Sequence, residues 1–182
     1  VNELMLTLQA SNIGIGPPVY AAFPVRAHEE GKPDVIFNRS YAYVTQAGWQ
    51  DAKASLESIS GTEKHNPETR NSIEVAIIAL LDEVANAGFL AMDTKLKNIV
   101  TRRSASSTSH EARMIDFDPR FTTVVDVRPD STPSECIWFV NGLLLLNGIM
   151  GNKPENPNSV ENYKECFKEL ASGVVQRWKL LN

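Results

Sequence analysis

Cysteine is scarce in this chain of 182 residues: Cys136 and Cys166 are the whole supply. They form no metal-ligand spacing and no disulfide framework. Both fall in apolar, helix-like segments, so they read as buried free thiols. Long hydrophobic runs are lacking too. A membrane-spanning helix needs ~18–20 apolar residues. The longest stretch here, Cys136–Met150, is broken by Asn141, Gly142, Asn147 and Gly148, so no membrane span is expected. No signal-peptide pattern opens the chain, and location falls to the cytoplasm by default. Because Val1 and not methionine stands first, a trimmed or processed chain stays open. Positive charge is not in excess. The net charge of −4 offers no basic field to attract nucleic acid or an anionic membrane, and Arg102-Arg103 is too small a cluster to change that. Internal repeats are absent. The remaining composition, 42% hydrophobic and 22% charged, is that of an ordinary globular protein, enough for one domain or a small bilobal unit.

Periodicity and punctuation predict the elements. Val1–Ser11 reads as a helix ended by the glycines and prolines of 12–18. Val19–Val25, Val35–Phe37 and Tyr41–Thr45 read as strands. Gly48–Ser58 reads as a short helix. Pro67–Ala87 is the clearest helix, with Asn66 as N-cap, Pro67 at the first position, Glu68 at the positive end of the dipole and Gly88 as the stop. Its apolar face carries Ile73, Ile77, Leu80, Leu81 and Val84. Leu96–Thr101 and Ala112–Ile115 are expected to pair as strands around a Ser/Thr-rich surface loop, Arg102–His110. Phe121–Val127 is β-prone. Ser134–Met150 reads as a buried helix. A closing helix over Ser159–Leu181 would bury Val160, Tyr163, Phe167, Leu170, Val174 and Trp178. That periodicity favours ordinary core packing over a partner surface, the second reading open for this helix and for Trp49.

The chemistry concentrates in two segments. Phe89-Leu-Ala-Met-Asp-Thr-Lys-Leu-Lys-Asn-Ile-Val100 holds Asp93, Lys95 and Asn98 as D-x-K-x-x-N. Met114-Ile-Asp-Phe-Asp118 holds Asp116. Phosphoryl transfer needs a carboxylate at the attacking hydroxyl, a cation on the moving phosphate and oxygen ligands for magnesium. Asp93 suits the first role, Lys95 the second, and Asn98 with Asp116 the third. Any one of these alone reads more readily as a turn residue, since Asp and Asn are common there.

In this order and spacing the two segments resemble the protein-kinase-like superfamily. The resemblance implies an α+β fold with a truncated N-lobe (1–46), a helix plus short antiparallel strands, and a mainly helical C-lobe (47–182). It implies ATP and magnesium, and transfer of the γ-phosphate to a hydroxyl of a protein or a small alcohol. Glu3 would be the glutamate that pairs with the phosphate-binding lysine. Thr45-Gln46-Ala47 would be the hinge whose backbone bonds an adenine edge. Gly14-Ile-Gly-Pro-Pro-Val-Tyr20 further resembles small-molecule kinases of the choline-kinase type.

Departures from the pattern are plain. Ala91-Met92 replaces the usual His-Arg before the catalytic Asp. Asp118 stands where glycine is usual. Thr132-Pro-Ser-Glu135 only echoes the A-P-E that ends an activation segment. Ile137-Trp138 and Gly142-Leu143 resemble the next core helix, yet Cys136 occupies its anchoring-aspartate position. No glycine-rich loop and no strand-borne lysine precede Glu3. Either ~60–80 residues bearing those parts precede this sequence, or they are dispensed with. Two functions therefore stand open, a phosphotransferase and a degenerate pseudokinase serving as scaffold or subunit of a complex. An unrelated α+β protein with a chance motif pair is the third reading.

Overall fold

A computed structural model describes residues 2–24, 41–60, 67–105, 108–128, 133–151 and 167–182. Helix α1 (Glu3–Asn12) begins where the Asn2 side chain accepts the Met5 N–H at 2.9 Å, with Glu3 in the first turn. It ends at Gly14, in the left-handed region at φ 84°, where the N–H groups of Ile15 and Gly16 both reach the Ala10 carbonyl. Ser11 Oγ then accepts the Val19 N–H and launches strand β1 (Val19–Pro24), which pairs antiparallel with β2 (Tyr41–Thr45). The expected strand at Val35–Phe37 and the Asn66 cap lie outside the described residues.

One expected helix starts late. Gly48 sits at φ 91°, and Gln50–Asp51 form a two-residue strand, β3, against Thr101 and Val100. Helix α2 therefore runs over Ala52–Ser60, and Asp51 caps it by accepting the Ala54 N–H at 2.7 Å. Helix α3 (Pro67–Asn86) follows its predicted bounds closely and buries Ile73, Ile77, Leu80, Leu81 and Val84. It leads through Gly88 into β4 (Phe89–Ala91), a 3-10 turn (Leu96–Asn98), β5 (Ile99–Arg103), β6 (His110–Met114) and β7 (Thr122–Val124). Arg102, Arg103 and His110, expected in a loop, are strand residues of the β5–β6 hairpin. Helices α4 (Ser134–Gly151) and α5 (Lys168–Leu181) complete the order.

The strands make three small antiparallel sheets, β1-β2, β3-β5-β6 and β4-β7. One hydrophobic cluster binds them to the helices. It takes Leu6, Ala10 and Ile15 from the start of the chain, the apolar face of α3, then Phe89, Ile99, Phe117, Leu145, Ile149 and Leu170. Burying each large side chain contributes ~1.5–3 kcal/mol. Phe89 and Phe117 meet edge to face, ring centres 5.8 Å apart.

The C-terminal helices depart from expectation in detail. Helix α4 has 18 residues and is long and apolar enough to cross a membrane by length and composition alone. Its Ile137, Trp138, Asn141, Leu145 and Ile149 are nonetheless buried in the fold. Cys136 is half-buried, not buried; Cys166 lies outside the described residues. Helix α5 buries Leu170 and Val174, but Trp178 is exposed beside Phe139, and Val160 and Tyr163 lie outside the described residues. Glu74, buried on α3, accepts the N–H groups of Glu169 and Leu170, each at 3.1 Å. It thus caps α5 from a neighbouring helix, and burial holds its pKa above the ordinary glutamate value.

Candidate active site

Gly88 turns the chain out of α3, and β4 carries it to Asp93. On one side β4 pairs with β7, Phe89 to Val124 and Ala91 to Thr122. On the other side no strand lies beside it in the described sheets. There the amide of Asn141, fully buried on α4, donates to Phe89 O at 2.9 Å and accepts from Ala91 N at 3.0 Å. Thr94 Oγ1 donates to Ala91 O at 2.6 Å. The backbone leading into Asp93 is thereby satisfied on both edges.

Asp93, Lys95 and Asn98 come together. Asp93 Oδ2 receives Lys95 Nζ at 2.7 Å and Asn98 Nδ2 at 3.1 Å, while the same Nδ2 reaches Asp93 O at 3.0 Å. The Asn98 amide nitrogen is thus committed, and its Oδ1 makes no hydrogen bond among the described residues. Asn98 O in turn accepts the Ile115 N–H at 2.8 Å, which ties this loop to the segment carrying Asp116. Asp116 has φ 63°, the sole non-glycine residue in the left-handed region among those described. Such a backbone costs ~1–3 kcal/mol and persists where the surroundings enforce it, often at functional sites. Here Ile115 is fixed by Asn98, and Met114 N–H by Ile15 O at 2.7 Å.

Glu3, Thr45 and Asp116 line one pocket, with Thr7, Tyr43 and Phe117 beside them. It encloses about 410 Å³, part of it open to solvent. Gln46 and Ala47 do not line it, so of the three expected hinge residues Thr45 alone faces this space. Burial raises the Glu3 pKa above its ordinary value, and the carboxylates of Asp116 and Asp118 raise it further. The carboxylates of Glu3, Asp116 and Asp118 thus act on one another electrostatically.

No three of His, Cys, Asp or Glu among the described residues are placed to hold a metal ion. Magnesium does not need such a cage. It is held by one or two protein oxygens and completes its shell with phosphate and water. The Asp116 carboxylate and the Asn98 Oδ1 are oxygens of the kind such a shell takes, though only Asp116 lines the pocket. Sequence reasoning missed three supporting groups. Asn141 registered as an interruption of an apolar run, Thr94 as the variable x of the motif, and Arg120 not at all, although it binds Asp118 through both Nε and Nη2.

No protein-family profile matches the chain, and no curated protein matches it either. Among solved structures it is similar to WaaP in complex with acyl carrier protein, with a TM-score of 0.52 and 11% identity. The match covers 98% of this chain and 73% of that one. That likeness is one of fold. The chain has a kinase-like α+β fold, with a helix and short antiparallel strands first and a mainly helical second part.

Proposed function

We propose that the chain is the phosphotransferase part of a kinase-like enzyme, with residues 1–46 as a partial N-lobe and 47–182 as the C-lobe. The observation that carries this reading is the single hydrogen-bonded unit formed by Asp93, Lys95 and Asn98, bonded through Ile115 to the strained Asp116. To the pocket lined by Glu3, Thr45 and Asp116, which Asp93, Lys95 and Asn98 do not line, we assign ATP and magnesium. When bound they supply the transferable phosphoryl group and the neutralisation of its charge. Asn98 Oδ1 and the Asp116 carboxylate would hold the metal.

The protein's own contribution is positioning and proton transfer. Asp93 Oδ2 is occupied by Lys95 and Asn98, which leaves Oδ1 for the acceptor hydroxyl. As the new O–P bond forms, the acceptor O–H bond breaks and its proton passes to Asp93. The bond from the γ-phosphorus to its bridging oxygen breaks, and its electron pair leaves with ADP. Lys95, shared between Asp93 and the open side of the loop, neutralises charge on the moving phosphoryl group.

A second reading, a scaffold without chemistry, draws on Glu3. Among the described residues, burial and the carboxylates of Asp116 and Asp118 raise its pKa, and no cation lowers it. A protein partner suits either reading, since the similar WaaP structure was solved with acyl carrier protein.

Thermal unfolding with Mg-ATP decides between them. Binding to the folded state alone stabilises by RT ln(1 + [L]/Kd), ~2.7 kcal/mol at a hundredfold excess over Kd. The melting temperature is expected to rise with Mg-ATP, to rise far less with ATP and EDTA, and to lose its magnesium dependence in Asp116→Asn. A full metal-dependent shift in Asp116→Asn would remove Asp116 from the site. No shift in the parent chain would leave the scaffold.

A further inference from the structure

The turn after Asp116 has a construction that the assigned roles do not use. Asp118 Oδ1 accepts the Arg120 backbone N–H at 2.8 Å, and the Phe121 N–H reaches Asp118 O at 2.9 Å. The Arg120 guanidinium closes on the same carboxylate, Nε at 3.1 and 3.0 Å and Nη2 at 2.5 Å. Phe121 O then accepts the Met92 N–H at 2.7 Å, so the turn is stitched to the residue immediately before Asp93. β7 begins at the next residue and pairs with Ala91. Arg120 is therefore held by its backbone beside the catalytic loop, while its side chain stays 78% exposed.

Stability does not account for this clamp, because a solvent-exposed ion pair contributes little. Orientation does. A guanidinium carries five N–H donors in a rigid fork. Asp118 takes Nε–H and one Nη2–H, so the Nη1 side stays available, the geometry arginine uses to grip an oxyanion. Arg120 does not line the Glu3–Asp116 pocket, so it stands outside the space assigned to the nucleotide. Asp118 and Asp116 act on Arg120 electrostatically, and with Asp93 these carboxylates would repel an anionic acceptor that lacked a cation to meet it. Lys95, paired with Asp93, is the cation already assigned to the moving phosphoryl group. Asp118 occupies the position where protein kinases usually have glycine, a place where small-molecule kinases often carry an acidic residue, and here that residue holds Arg120.

We propose that Arg120, aimed by Asp118, is the docking cation for an acceptor that bears an oxyanion group, phosphate or carboxylate, close to the hydroxyl it presents to Asp93. This deepens the phosphotransferase reading and rests on it.

Titration of the full chain with glycerol 3-phosphate, glycerate and glycerol, with Mg-ADP present, tests the assignment by ¹H–¹⁵N NMR of the Arg120 Nε–H and by calorimetry. At least one of the two anions is expected to move the Arg120 resonance and to bind at least tenfold more tightly than glycerol. Which one does so separates phosphate from carboxylate. Arg120→Ala is expected to abolish the advantage, and Arg120→Lys, which keeps the charge and loses the fork, to restore part of it. Asp118→Asn, which leaves Arg120 unaimed, should weaken the anion severalfold. The proposal is overturned if neither anion moves the Nε–H, or if Arg120→Ala binds both anions as the parent does. Mg-ATP binding by thermal shift is read on the same samples. Its absence in the parent would sink the phosphotransferase reading, whereas its presence without anion binding would sink the acceptor class alone.

Discussion

His110 shows how much one ring nitrogen can decide. Its backbone N–H donates to Ser72 Oγ at 2.9 Å, and its Nδ1 lies 3.1 Å from the same oxygen. A serine oxygen that accepts the backbone N–H spends its own proton well on Nδ1, which requires the neutral imidazole. Burial lowers the His110 pKa, and Arg103 on β5 lowers it further; Glu68 lines the same polar hollow from α3. A histidine whose folded pKa is depressed stabilises the fold above its ordinary value of 6.5, and that contribution is lost as pH falls through the folded value. The urea midpoint is therefore expected to drop as pH falls below the ordinary histidine value of 6.5, and His110→Asn should flatten the drop. Equal pH slopes in parent and variant would exclude His110 as its source. At this scale the chain was partly readable. Asp93, Lys95 and Asn98 were grouped by their spacing in sequence, and their side chains do meet in the structure. His110 was not readable, because its serine neighbours suggested a loop and its partner Ser72 is remote in sequence.

Short elements are where the turns matter most. Gly88 has φ 77°, and a Cβ built there would lie 2.0 Å from Val125 O, inside the contact where Val125 N–H bonds Gly88 O. An alanine would meet both the left-handed backbone and that carbonyl. The backbone term alone costs ~1–3 kcal/mol. Gly88→Ala is expected to lower the melting temperature by about 5 °C or more and to loosen Asp93 by prising β4 from β7. A melting temperature within a degree of the parent would contradict that geometry. Helix α3 was legible from its punctuation and apolar stripe, since both are local signals. Strand β3 was not, because two residues acquire strand geometry only from pairing with Val100 and Thr101 of β5, remote in sequence. The cap that Glu74 gives α5 was hidden for the same reason. A glutamate on a helix reads as a solvated residue until another helix end is known to meet it.

One core joins the first residues of the described chain to the helices that follow. Leu6, Ala10 and Ile15 are buried in the same cluster as α3 and α4, and Ile15 O holds the strand that leads into Asp116. A chain of residues 47–182 alone would expose that surface and release Met114 N–H. It is expected to be at least ~3 kcal/mol less stable than the full chain in urea unfolding, counting Leu6 and Ile15 alone. Unfolding at an unchanged midpoint would make residues 1–46 an appendage. The order of elements was readable at this scale, since helix, strands, long helix and paired motifs follow one another as the kinase-like pattern implies. What could not be read was the mortar between them.

Asn141 is the best instance of that mortar. A carboxamide presents one acceptor and a donor side by side, as a peptide group does. By meeting Phe89 O and Ala91 N it stands in for a flanking strand, so the ribbon that delivers Asp93 is in effect three strands wide with the outermost a single side chain. Aspartate could not donate there, and a longer amide would overshoot. Any rigid movement of α4 would be passed by that one plug to the ribbon's tip.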